Sequence, residues 1–349
     1  MKKIWFLALF TSFCFYLPPT FAVKVETLYR AKIPANTQSV EERKPLLGSA
    51  LAEVLVKVTG NTNVINNPKI KSYLANPSQF VQEYTYETVM PANPKPFMLE
   101  VWFNPESVNK LLRGTGVPLW GQSRPLILTY LDYQGLNATP EILGDSSPGN
   151  VVTLVKQKFS GRGLPVIFPT MDATDLSQIN VNDVNTFAFP ALINSAKRYG
   201  SEGILLGKIT QRPNDFVTQW KFRLGAKEWV WNFTGSSLDA ILDNLSNSMA
   251  NTLSVRFAAV ETNQVTDHVL VKFIGITQSD DFVSLIDYLK NMTPVADVVP
   301  KEIKDTEVLL KISLHSNVNA FVEAISLSPK FSSVPDQVHP ELLTYQWNH

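Results

Sequence analysis

Leu126-Ile127-Leu128-Thr129-Tyr130-Leu131 is an unbroken apolar run directly after Pro125. Side chains alternate across a strand, so a strand without a polar face needs cover on both sides, as in the sheet of a layered α/β domain. The flanking sequence supplies that cover. Val151 to Phe159 has helical spacing and ends at Gly161, and Val166-Ile167-Phe168 reads as a short strand. Phe187 to Tyr199 reads as a helix closed by Gly200, with Pro190 in its first turn, where a missing N–H costs nothing. Gly203-Ile204-Leu205-Leu206-Gly207 is a second buried strand. Alternating strands and helices imply a central α/β layered domain.

A hairpin follows. Trp220, Phe222 and Leu224 alternate on one arm, and Trp229, Trp231 and Phe233 on the other. A turn at Gly225-Ala226 sets Phe222 opposite Trp229 and Trp220 opposite Trp231, giving one aromatic face. That face is either a stacking surface for glycan or a proline-rich partner, or a platform for the next helix. The helix Leu238 to Phe257 carries Leu238, Ile241, Leu242, Leu245, Met249, Leu253 and Phe257 on one side, which favours the platform.

The chain beyond residue 263 reads as strand (Val269–Ile276), helix (Asp280–Lys290), strand (Val295–Val299), strand (Val308–Leu314) and helix (Val318–Leu327). That order is most of a ferredoxin-like split βαβ unit. Residues 335–349 are expected to form a tail that docks elsewhere.

Ahead of the central domain, residues 23–124 read as an α+β unit. Val23 to Ile33 alternates as a strand, and Ser39-Val40-Glu41-Glu42 reads as a capping box in which Glu42 reaches back to the cap. Leu46, Leu47, Ala50, Leu51, Val54, Leu55 and Val58 then follow at helical spacing, and Gly60 supplies a left-handed stop. A short helix runs from Pro68 to Leu74. Strands Phe80–Met90 and Phe97–Phe103 flank a stiff, proline-rich exposed loop, and a helix from Asn104 ends at Gly114. The fold class is therefore α+β and α/β in several domains, with boundaries at 22, 124, 262 and 334.

Two stretches of this region carry a resemblance. Leu51-Ala52-Glu53-Val54-Leu55-Val56-Lys57-Val58-Thr59-Gly60-Asn61 is one. Leu111-Leu112-Arg113 with Gly116-Val117-Pro118-Leu119-Trp120-Gly121 and Arg124-Pro125 is the other. Both are similar to the bacterial family catalogued as domain of unknown function 2066, exported proteins of proteobacteria. The resemblance implies export and supports the fold, and brings no catalytic residues with it.

The amino terminus points the same way. Met1-Lys2-Lys3, an apolar run from Ile4 to Leu17, Pro18-Pro19 and Thr20-Phe21-Ala22 have the order of a secretory signal peptide cut after Ala22. The apolar run falls short of the ~20 residues a spanning helix needs. Cleavage takes Lys2 and Lys3 with it, so the 31 basic and 31 acidic side chains of the 349-residue chain become 29 against 31. The near balance leaves no overall basic field for nucleic acid. Cys14, the one cysteine, leaves with the leader, so no disulfide, thiol nucleophile or thiolate site is expected. No later stretch is long and apolar enough to span a membrane, so the expected location is the periplasm.

Chemistry-bearing motifs are few. His268, His315, His339 and His349 lack metal-ligand spacing, although His268 and His315 approach each other if their strands pair. Ser236-Ser237 reads as a helix cap rather than a nucleophile, and Gly161-Arg162-Gly163 as a helix end and turn rather than a dinucleotide loop. No catalytic residue, cofactor or metal is implied.

Five residues stand out as binding candidates: Trp120, Arg124, Asp132, Asp172 and Asp175. Trp120 and Arg124 lie in Pro118-Leu119-Trp120-Gly121-Gln122-Ser123-Arg124-Pro125. They read either as a groove for a carboxylate of an acidic peptide or peptidoglycan stem, or as a rigid connector with Arg124 paired internally. Prolines at both ends favour the connector. Asp132, Asp172 and Asp175, with Asp183, could line a crevice at strand carboxyl ends. The leading functional expectation is a non-catalytic binding or scaffold protein that engages an envelope protein or a peptidoglycan component. The alternative is an envelope glycan or peptide hydrolase using those loop carboxylates.

Overall fold

The structure is a computed structural model, and it describes residues 23–349 apart from 90–94, 259, 261–264, 266, 291, 293, 327, 329, 336–338 and 349. The signal-peptide reading, Cys14, His349 and most of the proline-rich loop fall outside the described residues.

The first unit contains β1 (Val23–Lys24), β2 (Arg30–Ala35), α1 (Val40–Thr59), α2 (Pro68–Leu74), β3 (Val81–Thr88), β4 (Phe97–Phe103) and α3 (Pro105–Thr115). An antiparallel sheet in the order β2-β4-β3 packs under α1. The single strand expected over Val23–Ile33 is interrupted by a 3-10 turn at Glu26–Tyr29, which buries the adjacent Leu28 and Tyr29 together. Two neighbouring buried side chains are incompatible with strand alternation. At the start of α1 the Ser39 hydroxyl accepts from the Glu42 N–H. Glu42 itself reaches past the cap to Asn36 and Thr37. Those bonds, chiefly the one from the Thr37 hydroxyl, hold its pKa down at about 2. Helix α1 ends as expected at Gly60, with φ of 69°.

A two-residue strand β5 (Ser123–Arg124) in the connector pairs antiparallel with β1. The central domain contains β6 (Ile127–Gln134), β7 (Glu141–Leu143), α4 (Val151–Ser160), β8 (Val166–Ile167), α5 (Ala173–Gln178) and α6 (Val181–Asn185). It continues with α7 (Phe189–Arg198), β9 (Gly203–Gln211), β10 (Phe216–Leu224), β11 (Lys227–Gly235) and α8 (Leu238–Phe257). The sheet order is β11-β10-β9-β6-β7, with β8 also on β6. Strand β6 runs parallel to β9 and β8, in keeping with its mostly apolar run from Ile127 to Leu131. Ile127 and Leu131 join Val155 and Phe159 of α4 and Leu245 of α8 on one face. Leu128 and Tyr130 join Val184 of α6 and Leu192 of α7 on the other. The result is a three-layer sandwich.

The hairpin has the expected register, Phe222 opposite Trp229 and Trp220 opposite Trp231. Trp220 and Phe222 are buried in the same core as Leu242, Leu245, Met249 and Leu253 of α8, so the aromatic face is that helix's platform.

The carboxy-terminal unit contains β12 (Asp267–Ile274), α9 (Ser279–Lys290), β13 (Val295–Lys304), β14 (Glu307–Leu314), α10 (Val318–Ser326), β15 (Phe331–Ser333) and β16 (Leu343–Trp347). Strand β14 lies antiparallel between β12 and β13, which makes the split βαβ of a ferredoxin-like unit. The separate tail is corrected. Residues 343–347 form β16, which inserts parallel to β12 and antiparallel to β15, so the sheet order is β13-β14-β12-β16-β15. The reason is packing: Tyr345 and Trp347 point inward onto Phe273 and Phe331.

Gly60 is a point of close approach between the first two units. A Cβ there would lie 2.5 Å from the Ser254 Cβ and 2.8 Å from the Trp120 Cε3, on a backbone whose φ already favours glycine. Gly60→Ala should cost about 2–4 kcal/mol, measured by urea denaturation. A loss no larger than that of an exposed Gly→Ala change, such as Gly149→Ala, would refute the tight junction.

Candidate functional site

The segment joining the first two units places its charge at the end of a helix. The last carbonyls of α1 have no partner within the helix and must find donors elsewhere. The Trp120 N–H takes Val58 at 2.8 Å. The Arg124 guanidinium takes Lys57, its Nη2 donating to that carbonyl and to Trp120 O at 2.8 Å each. Its Nε donates to Gly121 O at 2.8 Å, and Nη1 to Gly163 O at 3.4 Å. The guanidinium carbon lies 3.7 Å from the Trp120 ring centroid, and that indole stacks on Phe257 at the end of α8. One arginine thus ties the α1 terminus, the connector and the α4–β8 turn together. Its cation sits where the helix dipole is negative.

Arg124 is 0% and Trp120 2% exposed, so neither presents a surface to a ligand. As binding residues they are corrected: the guanidinium is spent on backbone carbonyls. Burial pulls the Arg124 pKa down to about 9; Tyr29 opposes the fall and nearby Arg162 adds to it. It remains charged at neutral pH.

The aspartates divide into two environments. Asp172 caps α5, accepting from Thr174 and Asp175 N–H groups at 3.0 Å each. Arg198 of α7 pairs with both Asp172 and Asp175. Asp175 is fully buried and also accepts from Met171 N at 2.9 Å, Thr170 Oγ1 at 3.2 Å and Tyr199 OH at 2.5 Å. Arg198 above all, with the α5 amides, holds the Asp172 pKa at about 2. Asp183 is half-buried in the first turn of α6. Asp132, near the end of β6, is 0% exposed, and both its carboxylate oxygens lack a hydrogen-bond partner. Burial raises its pKa, and Lys208, opposite it on β9, acts against that rise. The crevice of converging aspartates is therefore corrected. Asp172 and Asp175 are locked by Arg198, and Asp132 faces the interior beside Lys208.

Strand β12, which carries His268, pairs with β14, which ends at Leu314 just before His315, and His268 bonds Ser313, its register partner. Among the described residues no group of three or more His, Cys, Asp or Glu could hold a metal ion. Ser237 caps α8 by accepting from the Ala240 N–H.

Sequence reasoning missed Arg162. Between two glycines it reads as turn filler, yet it is only 6% exposed. It lines a cleft of about 570 Å³ between the first unit and α4, together with the basic Arg30, Lys32, Lys57 and Lys158, the acidic Glu53 and Asp243, and Gln157. Its Nη2 donates to Gly60 O at 3.0 Å and Asn251 Oδ1 at 3.3 Å, while Nε and Nη1 have no partner. Burial lowers its pKa to about 10. The Gly-Arg-Gly triplet at a helix end was the one available signal: glycines let a backbone approach closely.

Two predictions follow from this geometry. Arg124→Leu should destabilise by about 3 kcal/mol, because four buried carbonyls lose their donor. Arg124→Lys should restore little of it, since one ammonium cannot span them. Full rescue by lysine in denaturant melts would refute the carbonyl-bridging role. Asp132 gives a pH signature. A carboxyl whose pKa rises on folding holds its proton better in the native state, so its contribution to stability declines as pH climbs through the folded pKa. Asp132→Asn should add about 1 kcal/mol at pH 7 and almost nothing near pH 4. Equal effects at the two pH values in thermal melts would count against a strained carboxylate.

Residues 22–121 match the family model described as "Domain of unknown function (DUF8605)". This overturns the resemblance to domain of unknown function 2066: both hallmark stretches up to Gly121 lie within the DUF8605 match. No curated protein matches the chain by sequence. Among solved structures, the lipoprotein GNA1162 from Neisseria meningitidis is 15% identical, covers 37% of this chain and 96% of its own, and has a TM-score of 0.24. TolB from Acinetobacter baumannii is 10% identical with a TM-score of 0.20; the match takes in 57% of this chain and 38% of TolB. An uncharacterized protein is 8% identical over 38% of this chain and 91% of its own, with a TM-score of 0.16. Each is a distant partial likeness of this chain.

Proposed function

We propose that the chain is a non-catalytic binding or scaffold protein of the cell envelope, exported to the periplasm. The observation that carries this reading is the state of the loop carboxylates. A glycan or peptide hydrolase needs a carboxyl free to give or take a proton beside its substrate. Here Asp175 accepts from three neutral donors and from Arg198, and Asp172 is tied to the same arginine and to the α5 cap. The rigid junction around Arg124 agrees with a binding role, since it holds two units at a constant spacing around the basic cleft. No helix among the described residues is long and apolar enough to cross a membrane.

A hydrolase is the second reading, and Asp132 is the residue that favours it. A buried carboxyl with a raised pKa is the usual form of a general acid.

Site-directed photo-crosslinking in intact envelopes separates the two. A crosslinking residue at exposed Gln157, on the cleft rim, should trap a discrete envelope component; one at exposed Val230, on β11, should not. The purified chain should leave peptidoglycan fragments intact. Equal trapping at both positions, or turnover of wall fragments that Asp132→Asn abolishes, would overturn the proposal.

A further inference from the structure

The cleft beside Arg162 holds a charge problem that the protein alone leaves unsolved. Four cations line it together with Arg162, and each has a carboxylate. Arg30 pairs with Glu100, Lys32 with Glu87 and Glu100, Lys57 with Glu53 at 2.6 Å, and Lys158 with Asp239 and Asp243. Arg162 differs. Its hydrogen bonds go to a carbonyl and to an amide oxygen, neither of them charged. Two further nitrogens, Nε and Nη1, are buried without an acceptor. The second buried guanidinium, Arg124, also rests on neutral carbonyls, and the two repel. Leaving buried charged donors unmade is costly, so such groups mark the place of an absent partner.

We propose that this cleft binds an oxyanion, a phosphate or carboxylate group of a small ligand or of an envelope polymer, with Arg162 as its buried anchor. The inference rests on the binding reading above and names the chemistry of the ligand. An anionic oxygen placed on Nε or Nη1 supplies the missing acceptor through a charge-assisted bond and offsets the repulsion with Arg124. Lys57 and Lys158 are already paired with Glu53 and Asp243 of the same cleft, so the uncompensated charge is that of Arg162. The volume of about 570 Å³ falls in the range of small-molecule sites and exceeds what a bare ion fills. The anion is therefore one group of a larger molecule. Arginine suits the role better than lysine because its planar donors reach two acceptor directions at once.

The test is titration of the purified chain, followed by the 15N resonances of the arginine Nε groups, with inorganic phosphate in one arm and the dipeptide Glu-Glu in the other. One resonance, identified by its loss in Arg162→Lys, should shift saturably. Gln157→Glu, on the exposed rim and outside the core, should weaken that binding about three- to ten-fold by adding a negative charge. Saturation by phosphate alone identifies a phosphate ligand, by the dipeptide alone a carboxylate ligand, and by both an oxyanion site without preference; all three support the proposal. No saturable shift in either arm, or a shift unaffected by Gln157→Glu, overturns it and leaves the orphaned nitrogens to water. Crosslinking at Gln157 without anion binding would sink this inference and spare the binding reading. Anion binding accompanied by wall-fragment turnover would do the reverse.

Discussion

The end of α1 is the point on which the rest of the molecule depends. A helix terminus is an unfinished structure, with carbonyls that need donors and a partial negative charge that needs a cation. Here the missing donors come from the connector and from the turn after α4: the Trp120 amide, the Arg124 guanidinium and the Arg162 guanidinium. The two units therefore share a hydrogen-bonding system as well as a boundary. Arg124 also packs flat on Trp120, which stacks on Phe257, so the same contact passes through the connector to the end of α8. Burying a guanidinium with no carboxylate is tolerable because carbonyl dipoles surround it.

That arrangement explains why the cleft beside it is basic yet neutralised on its walls. Arg30, Lys32 and Lys158 are partly exposed and Lys57 is buried, and all four found carboxylates across short distances. Arg162 could not follow them. Its backbone follows the last turn of α4, and its side chain is directed under Gly60, where the acceptors are a carbonyl and an amide. Rigid geometry at the junction and incomplete satisfaction in the cleft thus have one origin.

The central sheet shows the same economy in apolar form. Strand β6 has no polar face because α4 and α8 cover one side of the sheet and α6 and α7 the other. Gly207 admits Trp220 so closely that a Cβ there would fall 2.2 Å from the indole Cζ3. Against this dry background the buried carboxylate of Asp132, with no partner on either oxygen, stands out. The Arg198 cluster around Asp172 and Asp175 is fully bonded by comparison.

Much of this was readable in the order of residues. The apolar run 126–131, the paired aromatics of the hairpin, the Gly60 stop and the split βαβ order all follow from periodicity and backbone chemistry, which act over a few residues. Leu343, Tyr345 and Trp347 carry a strand's alternation, but so short a strand is recognisable only when a sheet edge is there to receive it. Proline at 118 and 125 pointed to a stiff connector; that Arg124 would be sealed inside it depended on α1 and the α4–β8 turn meeting there. Asp132 and Asp175 look alike in the chain, yet one is orphaned and the other satisfied by four donors. Local pattern governed the elements because propensity and alternation are properties of neighbours. The fate of each charge was decided in three dimensions, because desolvation and hydrogen-bond supply come from residues distant in the chain.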